Sequence, residues 1–194
     1  MYAILSFDTE DIYFDPQYRI DDIPGWLAEI MTETGVTGTF FVMGEKARSM
    51  KARGREDVLA KMAKHDIGSH QQGNRHPFLP ELVQNKSWQD GVATVRGYED
   101  WVKEGLVEAF GKDPVSFSRH NCYFAPQHVA VAGERALPYM YMIEQIPGSR
   151  QPLCWYGCFE PWERTCAGIS LTGSARGTTS DYRLSIRPGR RESA

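Results

Sequence analysis

Three acidic side chains stand close together near the start of the chain, at Asp8, Glu10 and Asp11. Carboxylates this close repel one another, so the cluster is costly unless a cation, an arginine or protonation relieves it. Alternate residues of an extended segment point the same way, which predicts that Asp8 and Glu10 face a common site. A solvated turn in which Asp11 caps the next helix explains the same residues without chemistry, and the cluster by itself favours that simpler interpretation.

Two histidines supply the second set of candidate ligands. His70 ends the segment His65-Asp-Ile-Gly-Ser-His70, and His76 follows across a loop in which Gly73 permits a tight reversal. Two imidazoles and one carboxylate form the usual facial set for Zn²⁺ or a similar divalent ion, with positions left open for water and substrate. A lone histidine is more often an ordinary core or surface residue. Two of them, opposite a carboxylate cluster at the equivalent edge, favour a metal site.

The elements that must position these groups alternate between strand and helix. Short apolar or β-branched runs predict strands over 2–7, 37–43, 66–70, 114–118 and 139–143, and helical periods predict helices after Asp21, over 56–65 and from Ser87 onward. Within the last helix, Gly91, Gly97 and Gly105 predict a break or kink. The alternation predicts an α/β fold with a mostly parallel sheet, open or closed as a barrel. Asp8 and His70 then lie at the carboxyl ends of strands, where such folds place functional loops.

Length and composition bound the remaining possibilities. The chain has 194 residues, 41% of them hydrophobic and 24% charged, which is typical of a globular protein of one domain. Its net charge of −3 lacks the basic excess of a nucleic-acid binder, and no apolar run approaches the ~18 residues of a membrane span. The first residues lack the pattern of a signal peptide, so we expect a cytoplasmic protein. We expect the domain to cover 1–164 and a flexible or poorly packed tail, rich in Gly, Ser, Thr and Arg, to cover 165–194.

Three motifs in order resemble those of the polysaccharide deacetylases, the NodB-homology group. They are Ser6–Asp11, Thr37–Met43, and His65–His70 with His76-Pro77, within a resemblance that runs from Met1 to about Gln127. The resemblance implies an irregular (β/α) barrel, with its C-terminal part truncated or diverged. It also implies a divalent metal at the carboxyl-edge mouth, with Zn²⁺ expected and Co²⁺ or Ni²⁺ as alternatives. Members of the family remove acetyl or formyl groups from N-acylated sugars and related amides.

The resemblance also implies a role for each matching residue. Asp8 corresponds to the family's general base, and Glu10 to its metal-binding carboxylate, with Asp11 as a rival. His70 corresponds to the first histidine ligand. The position of the second ligand is occupied by Asn74, so either His76 reaches the metal through an expanded loop or Asn74 takes its place.

Further residues are implied by the third motif of the family. Arg119 corresponds to the arginine that orients the base, and Tyr123 or Phe124 to an aromatic wall of the sugar site. The family's late general-acid histidine has no counterpart, since the chain has no histidine beyond His128. His120, or Asp8 once protonated, is the expected substitute.

The implied function is that of a metal-dependent hydrolase. It would remove an acetyl or similar acyl group from an N-acylated carbohydrate or a small amide, with Asp8 as the general base for water attack. One alternative is a non-catalytic relative that keeps a metal or carbohydrate site but has lost turnover. A second alternative is a plain structural α/β domain, which would bind no metal tightly.

Overall fold

Five parallel strands in consecutive order form the main sheet of the protein. A computed structural model of the chain describes residues 5–120, 123–140, 153–155 and 158–160. The strands are β1 (Ser6–Thr9), β2 (Thr39–Val42), β3 (Asp66–Ser69), β4 (Phe117–Ser118) and β5 (Tyr139–Met140). Each strand pairs with the next one along the chain, in the order β1-β2-β3-β4-β5.

Six helices connect and flank these strands. They are α1 (Asp22–Glu33), α2 (Gly44–Ala52), α3 (Glu56–Met62), α4 (Leu79–Val83), α5 (Trp88–Phe110) and α6 (Pro126–Glu134), and a 3₁₀ turn (Pro16–Tyr18) precedes α1. A separate antiparallel pair, β6 (Leu153–Trp155) and β7 (Cys158–Glu160), lies beside α6. In the part of the chain just described, no helix is long and apolar enough to cross a membrane.

The strand order confirms the predicted fold class. A doubly wound sheet reverses its strand order at a switch point, whereas a (β/α) barrel winds in one direction, with consecutive strands as neighbours. The five strands therefore form a section of a (β/α) barrel. Strands β2 to β5 each lie within a predicted strand, whereas β1 overlaps its predicted range at Ser6 and Phe7 and continues to Thr9. Residues 141–143 of the last predicted strand and the predicted tail over 165–194 lie outside the described residues.

Local sequence signals explain where the longest helix begins and ends. Ser87 caps α5, because its hydroxyl oxygen accepts a hydrogen bond of 3.1 Å from the amide of Asp90. Gly111 ends the helix in the left-handed region, at a φ of 70°, where a side chain would be strained.

The predicted break in α5 is wrong, because the helix runs without interruption from Trp88 to Phe110. Two of its glycines serve close packing instead. A Cβ atom at Gly105 would collide with the guanidinium of Arg48, and one at Gly91 would lie 3.1 Å from the amide of Gln127. The helix thus accepts the cost of glycine in its interior where another element approaches closely.

The main core lies between the sheet and helices α1, α2, α3 and α5. Phe40, Val42 and Ile67 project from β2 and β3 into this layer, where they meet side chains such as Met50 and Leu106. The alternate residue Phe41, on the opposite face of β2, is also buried. Burial on both faces explains why the sequence of β2 is continuously apolar, as in other covered parallel sheets.

A buried lysine fastens the loop that follows β1. Lys46, on α2, is 1% exposed, and its ammonium group donates hydrogen bonds to the Asp21 carboxylate (2.5 Å) and to the Asp11 carbonyl (2.7 Å). Arg53 donates to the other carboxylate oxygen of Asp21 at 2.9 Å. Burial acts to raise the pKa of Asp21, but the hydrogen bonds from Lys46 and Arg53 outweigh it and hold that pKa below its usual value.

We expect Asp21→Asn to lower the free energy of unfolding at pH 7 by about 3 kcal/mol, because it leaves the buried Lys46 charge uncompensated. The native pKa of Asp21 is depressed, so its stabilisation is complete above the unfolded-state pKa and is lost as the pH falls through the native value. The difference between wild type and variant should therefore shrink between about pH 5 and pH 3. Urea unfolding across this range measures it.

Asp113→Asn is the matched control for that experiment. Asp113 pairs with Lys103 at 3.1 Å on the surface, where such a pair contributes about 1 kcal/mol or less. An Asp21 variant that tracks this control at every pH would contradict a stabilising role for the buried pair.

Candidate metal centre

Glu10, His70 and His120 bring their side chains together at one edge of the sheet. Nε2 of His70 lies 3.1 Å and Nδ1 of His120 lies 2.6 Å from the same carboxylate oxygen of Glu10. The two imidazole rings are perpendicular, with centroids 5.4 Å apart. Asp8 stands beside this trio, with its carboxylate 3.8 Å from Nε2 of His70.

The parallel sheet brings these groups together. Glu10 follows β1, His70 follows β3, and His120 comes two residues after β4, so all three lie at carboxyl ends of strands. The amide of His70 continues the ladder by donating to the carbonyl of Val42 at 3.1 Å. Ser69 pairs with Phe117, which fixes β3 relative to β4 just before the two histidines.

Side-chain hydrogen bonds hold the loop that follows His70. Gln71 is 2% exposed and adopts a left-handed backbone with a φ of 66°. Its side-chain amide donates to the carbonyl of Tyr123 at 3.1 Å, which links the loops after β3 and β4. The amide of Gln72 donates to the hydroxyl of Tyr98 on α5 at 2.8 Å.

The trio is buried on one side and open on the other. His70 and His120 are 1% and 2% exposed, while the side chains of Glu10 and Asp8 are 36% and 43% exposed. Hydrogen bonding to His120 and then to His70 lowers the pKa of Glu10 to about 2, against the opposing effect of burial. Burial raises the pKa of Asp8, the Glu10 charge raises it further, and the charges of His70 and His120 oppose the rise.

This donor set fits a divalent metal ion. Zn²⁺ binds imidazole nitrogen and carboxylate oxygen at about 2.0–2.2 Å, so atoms around one ion lie roughly 3–3.5 Å apart. The three candidate ligand atoms lie within 4.8 Å of one another, close enough to surround one ion after small adjustments. One carboxylate and two histidines leave coordination positions open on the exposed side.

His76 lies elsewhere, contrary to its expected place among the ligands. Its side chain is 74% exposed, and its Nδ1 lies 2.8 Å from the carboxylate of Glu81. Its ring packs on Phe78, with centroids 4.2 Å apart. Within the described residues, the cluster of histidine and acidic side chains that could hold a metal contains His120 in place of His76, and it does not include Asp11. The alternative role of Asn74 as a ligand stays a prediction.

The residues expected to bind substrate or orient the base have separate surroundings. Tyr123 stacks on Phe78 with centroids 3.7 Å apart, and its ring is 5.8 Å from that of His120, so it lies near the trio. Phe124 instead packs against the small core cluster of Phe117, Val129 and Ala132. The charges described around Asp8 are those of His70, Glu10 and His120, and the pairing of Arg119 with Asp8 stays a prediction.

The sequence did contain a signal for His120. It lies just beyond a predicted strand, at the edge that also carries Glu10 and His70, so the rule that identified those two residues applies equally to it. The spacing from His70 favoured His76 instead, and that side chain lies apart from the trio because residue spacing does not determine the path of an irregular segment.

Solved structures of family 4 carbohydrate esterases are similar to this chain. The enzyme from Streptomyces lividans in complex with acetate matches at 17% identity and a TM-score of 0.48, over 72% of this chain and 62% of that chain. An acetyl xylan esterase of the same family from Clostridium thermocellum, in complex with a cobalt ion, matches at 16% identity and a TM-score of 0.48, over 71% and 56% of the two chains.

A neighbour of a different kind is a family 4 pseudoenzyme from Bacillus anthracis. It matches at 18% identity and a TM-score of 0.44, over 70% of this chain and 42% of that chain. The chain spans between 42% and 62% of the lengths of these three neighbours. No protein-family model matches the sequence, and no curated protein does.

We expect His120→Ala to weaken Co²⁺ or Zn²⁺ binding by at least about 100-fold, because changes that only support a ligand already cost about 10–100-fold. His76→Ala removes a histidine outside the trio and should leave the affinity within about 3-fold of wild type. Isothermal titration of the metal-free protein measures both variants. If His76→Ala weakened metal binding more than His120→Ala, His76 would be a ligand and the trio would not be the binding site.

Proposed function

We propose that the protein is a metal-dependent hydrolase that removes an acyl group from an acylated carbohydrate. The observation that carries the proposal is the trio of Glu10, His70 and His120 with the Asp8 carboxylate beside it, 3.8 Å from His70. Such a site combines a place for a Lewis acid with a separate carboxylate that can move a proton. Its exposed side gives a substrate access to both.

Glu10, His70 and His120 would hold the metal. When bound, a divalent ion supplies a Lewis acid that polarises the acyl oxygen and lowers the pKa of water. The burial of both histidines limits competition from solvent and restricts the rotation of their rings. The half-exposed Glu10 carboxylate stays ionised in neutral solution, as its low pKa requires, and so remains available as a ligand.

Asp8 would act as the general base. It follows the alternation of β1, so its side chain lies at the same edge as that of Glu10 but is not part of the trio. Its raised pKa brings the carboxylate closer to the range in which it can both accept a proton from water and release it again. Arg119 is proposed to orient this carboxylate, as the motif resemblance implies.

The leaving amine needs a proton, and Asp8 is the group we assign to return it. All five histidines of the chain lie among the described residues, and two of them belong to the trio. His65 and His128 are buried in other surroundings, and His76 is paired with Glu81. One carboxylate can serve both steps, because the proton that it takes from water is the one that it gives to the nitrogen.

The substrate class follows from the motif resemblance and from the aromatic ring at the site. N-acylated sugars are the first candidates, with Tyr123 as the proposed wall of the sugar site, since aromatic faces pack well against apolar ring surfaces. Phe124 is a weaker candidate for that wall because it packs into a core cluster. An O-acetyl sugar belongs in the same assay, because an ester carbonyl is a better electrophile than an amide.

A binding protein without turnover is the second candidate function. The observation that favours it concerns a general acid. Among the described residues, no histidine outside the trio lies next to the candidate metal site, where it could protonate a leaving group. Such a protein would bind the metal and an acylated sugar but release no acetate.

We expect Asp8→Asn to lower the rate of acetate release by about 10²–10⁴-fold, because the amide cannot accept the proton from water. Metal affinity should change little, since Asp8 lies outside the trio. Acetate release from N-acetylated chitooligosaccharides and from an O-acetylated xylan, with Co²⁺ or Zn²⁺ present, measures the rate.

Asp11→Asn is the matched control, because it makes the same chemical change at another exposed carboxylate three residues further along the chain. Its rate should stay within about 3-fold of wild type. Metal binding by the wild type without acetate release from any substrate would support the binding protein. Equal losses in the two variants would remove Asp8 from the role of base.

A further inference from the structure

Three buried polar side chains meet next to the end of β3, directly before His70 of the candidate metal centre. The hydroxyl of Ser69 donates to one carboxylate oxygen of Glu99 at 2.7 Å, and Nε2 of His128 lies 2.8 Å from the other. Ser69, Glu99 and His128 are each at most 1% exposed. They come from three different elements, β3, α5 and α6, so they connect parts of the fold that are distant in sequence.

Glu99 occupies a position where the helix would ordinarily place an apolar residue. The buried face of α5 includes Val92, Val95, Val102 and Leu106, and Glu99 falls in the middle of this stripe at the helical period. A buried carboxylate with polar partners is a weak source of stability, because well-packed apolar residues usually serve as well or better. A carboxylate at this position therefore suggests a task other than holding the core together.

The surroundings of Glu99 indicate that task. Ser69 directly precedes the ligand His70, and it pairs with Phe117 of the strand that leads to His120. His128 packs edge-on against the same Phe117, with ring centroids 5.5 Å apart at 85°. Glu99 thus accepts a hydrogen bond from Ser69, the residue before His70. It also faces His128, which packs on the strand that leads to His120.

The preceding residue of α5, Tyr98, acts on the other side of His70. The hydroxyl of Tyr98 accepts a hydrogen bond of 2.8 Å from the amide of Gln72, two residues after His70. Tyr98 and Glu99, adjacent residues of α5, therefore contact the chain on both sides of His70. Tyr98 binds the backbone amide of Gln72, and Glu99 binds the side chain of Ser69. These two attachments hold the chain on either side of His70.

We propose that Glu99 is a positioning residue of the metal centre, which fixes the end of β3 through Ser69 so that His70 and His120 present their nitrogens to one ion. This inference rests on the metal site of the proposed function. Glu99 acts on the placement of the ligand nitrogens, and this role requires no contact between Glu99 and the substrate.

The test is Co²⁺ binding to the full chain, followed by titration calorimetry and by the visible absorption of the bound ion, which reports its coordination geometry. Glu99→Gln keeps the size of the side chain but places an amide group where one of its two partners requires an acceptor. We expect the Co²⁺ affinity to fall by about 10–100-fold and the absorption to change. Ser69→Ala, which removes only the link to β3, should produce a loss in the same direction.

His65→Leu is the control that separates positioning from general stability. His65 is 3% exposed, precedes the opposite end of β3, and lies 2.8 Å from the carbonyl of Ala28 through Nε2. Its replacement should lower the free energy of unfolding. The Co²⁺ affinity should stay within about 3-fold of wild type, and the absorption spectrum of the bound ion should not change. If His65→Leu and Glu99→Gln lose Co²⁺ affinity in the same proportion to their loss of stability, the effect is one of general stability and the proposal is overturned.

The double variant Ser69→Ala with Glu99→Gln completes the test. If Glu99 acts through Ser69, its substitution should cost clearly less affinity in the Ser69→Ala background than in the wild type. Full additivity, or wild-type affinity in Ser69→Ala, would overturn the inference, and the Ser69 variant decides it even if Glu99→Gln does not fold. Absence of Co²⁺ binding by the wild type would instead contradict the proposed function itself.

Discussion

The carboxylate of Glu10, placed between two buried imidazoles, is the interaction on which the centre depends. One of its oxygens is within 3.1 Å of both His70 and His120, although these residues are separated by fifty positions in the sequence. Burial of the two rings removes their hydration, so their ring nitrogens need partners from the protein or from an ion. Glu10 meets that need from a third segment, and the site forms only when three strand ends are held in register.

The parallel sheet supplies most of that register. Backbone ladders join β1 to β2, β2 to β3 and β3 to β4, so the positions of Glu10, His70 and His120 follow from a continuous set of main-chain hydrogen bonds. The segment between β1 and α1 has no strand ladder to hold it. The buried Lys46 holds this segment instead, by donating hydrogen bonds to the Asp11 carbonyl and the Asp21 carboxylate. The edge of the sheet is thus fixed by backbone geometry, and the loop beyond it is fixed by buried charges.

The sequence predicted those parts of the site that depend on strand ends alone. Asp8, Glu10 and His70 come directly at or after short apolar runs, and a parallel sheet places such residues together whatever the loops do. His76 could not be located in this way, because its position depends on a loop whose course is set by Glu81 and Phe78. Glu99 left a signal in the sequence, as a charge in an apolar helical stripe, but its partners Ser69 and His128 became evident only from tertiary packing.

The source of the third candidate ligand determines how much the rest of the fold must contribute. Two histidines on one loop would keep their separation through local backbone geometry, and distant elements would matter little. His70 and His120 instead follow different strands. The ladder between β3 and β4 is short, with amide-to-carbonyl hydrogen bonds from Val115 to Ile67 and from Ser69 to Ser116. Contacts from outside the sheet add to this short ladder. Glu99 and His128 supply them from the helical layer, because Glu99 accepts a hydrogen bond from Ser69 and His128 packs on Phe117.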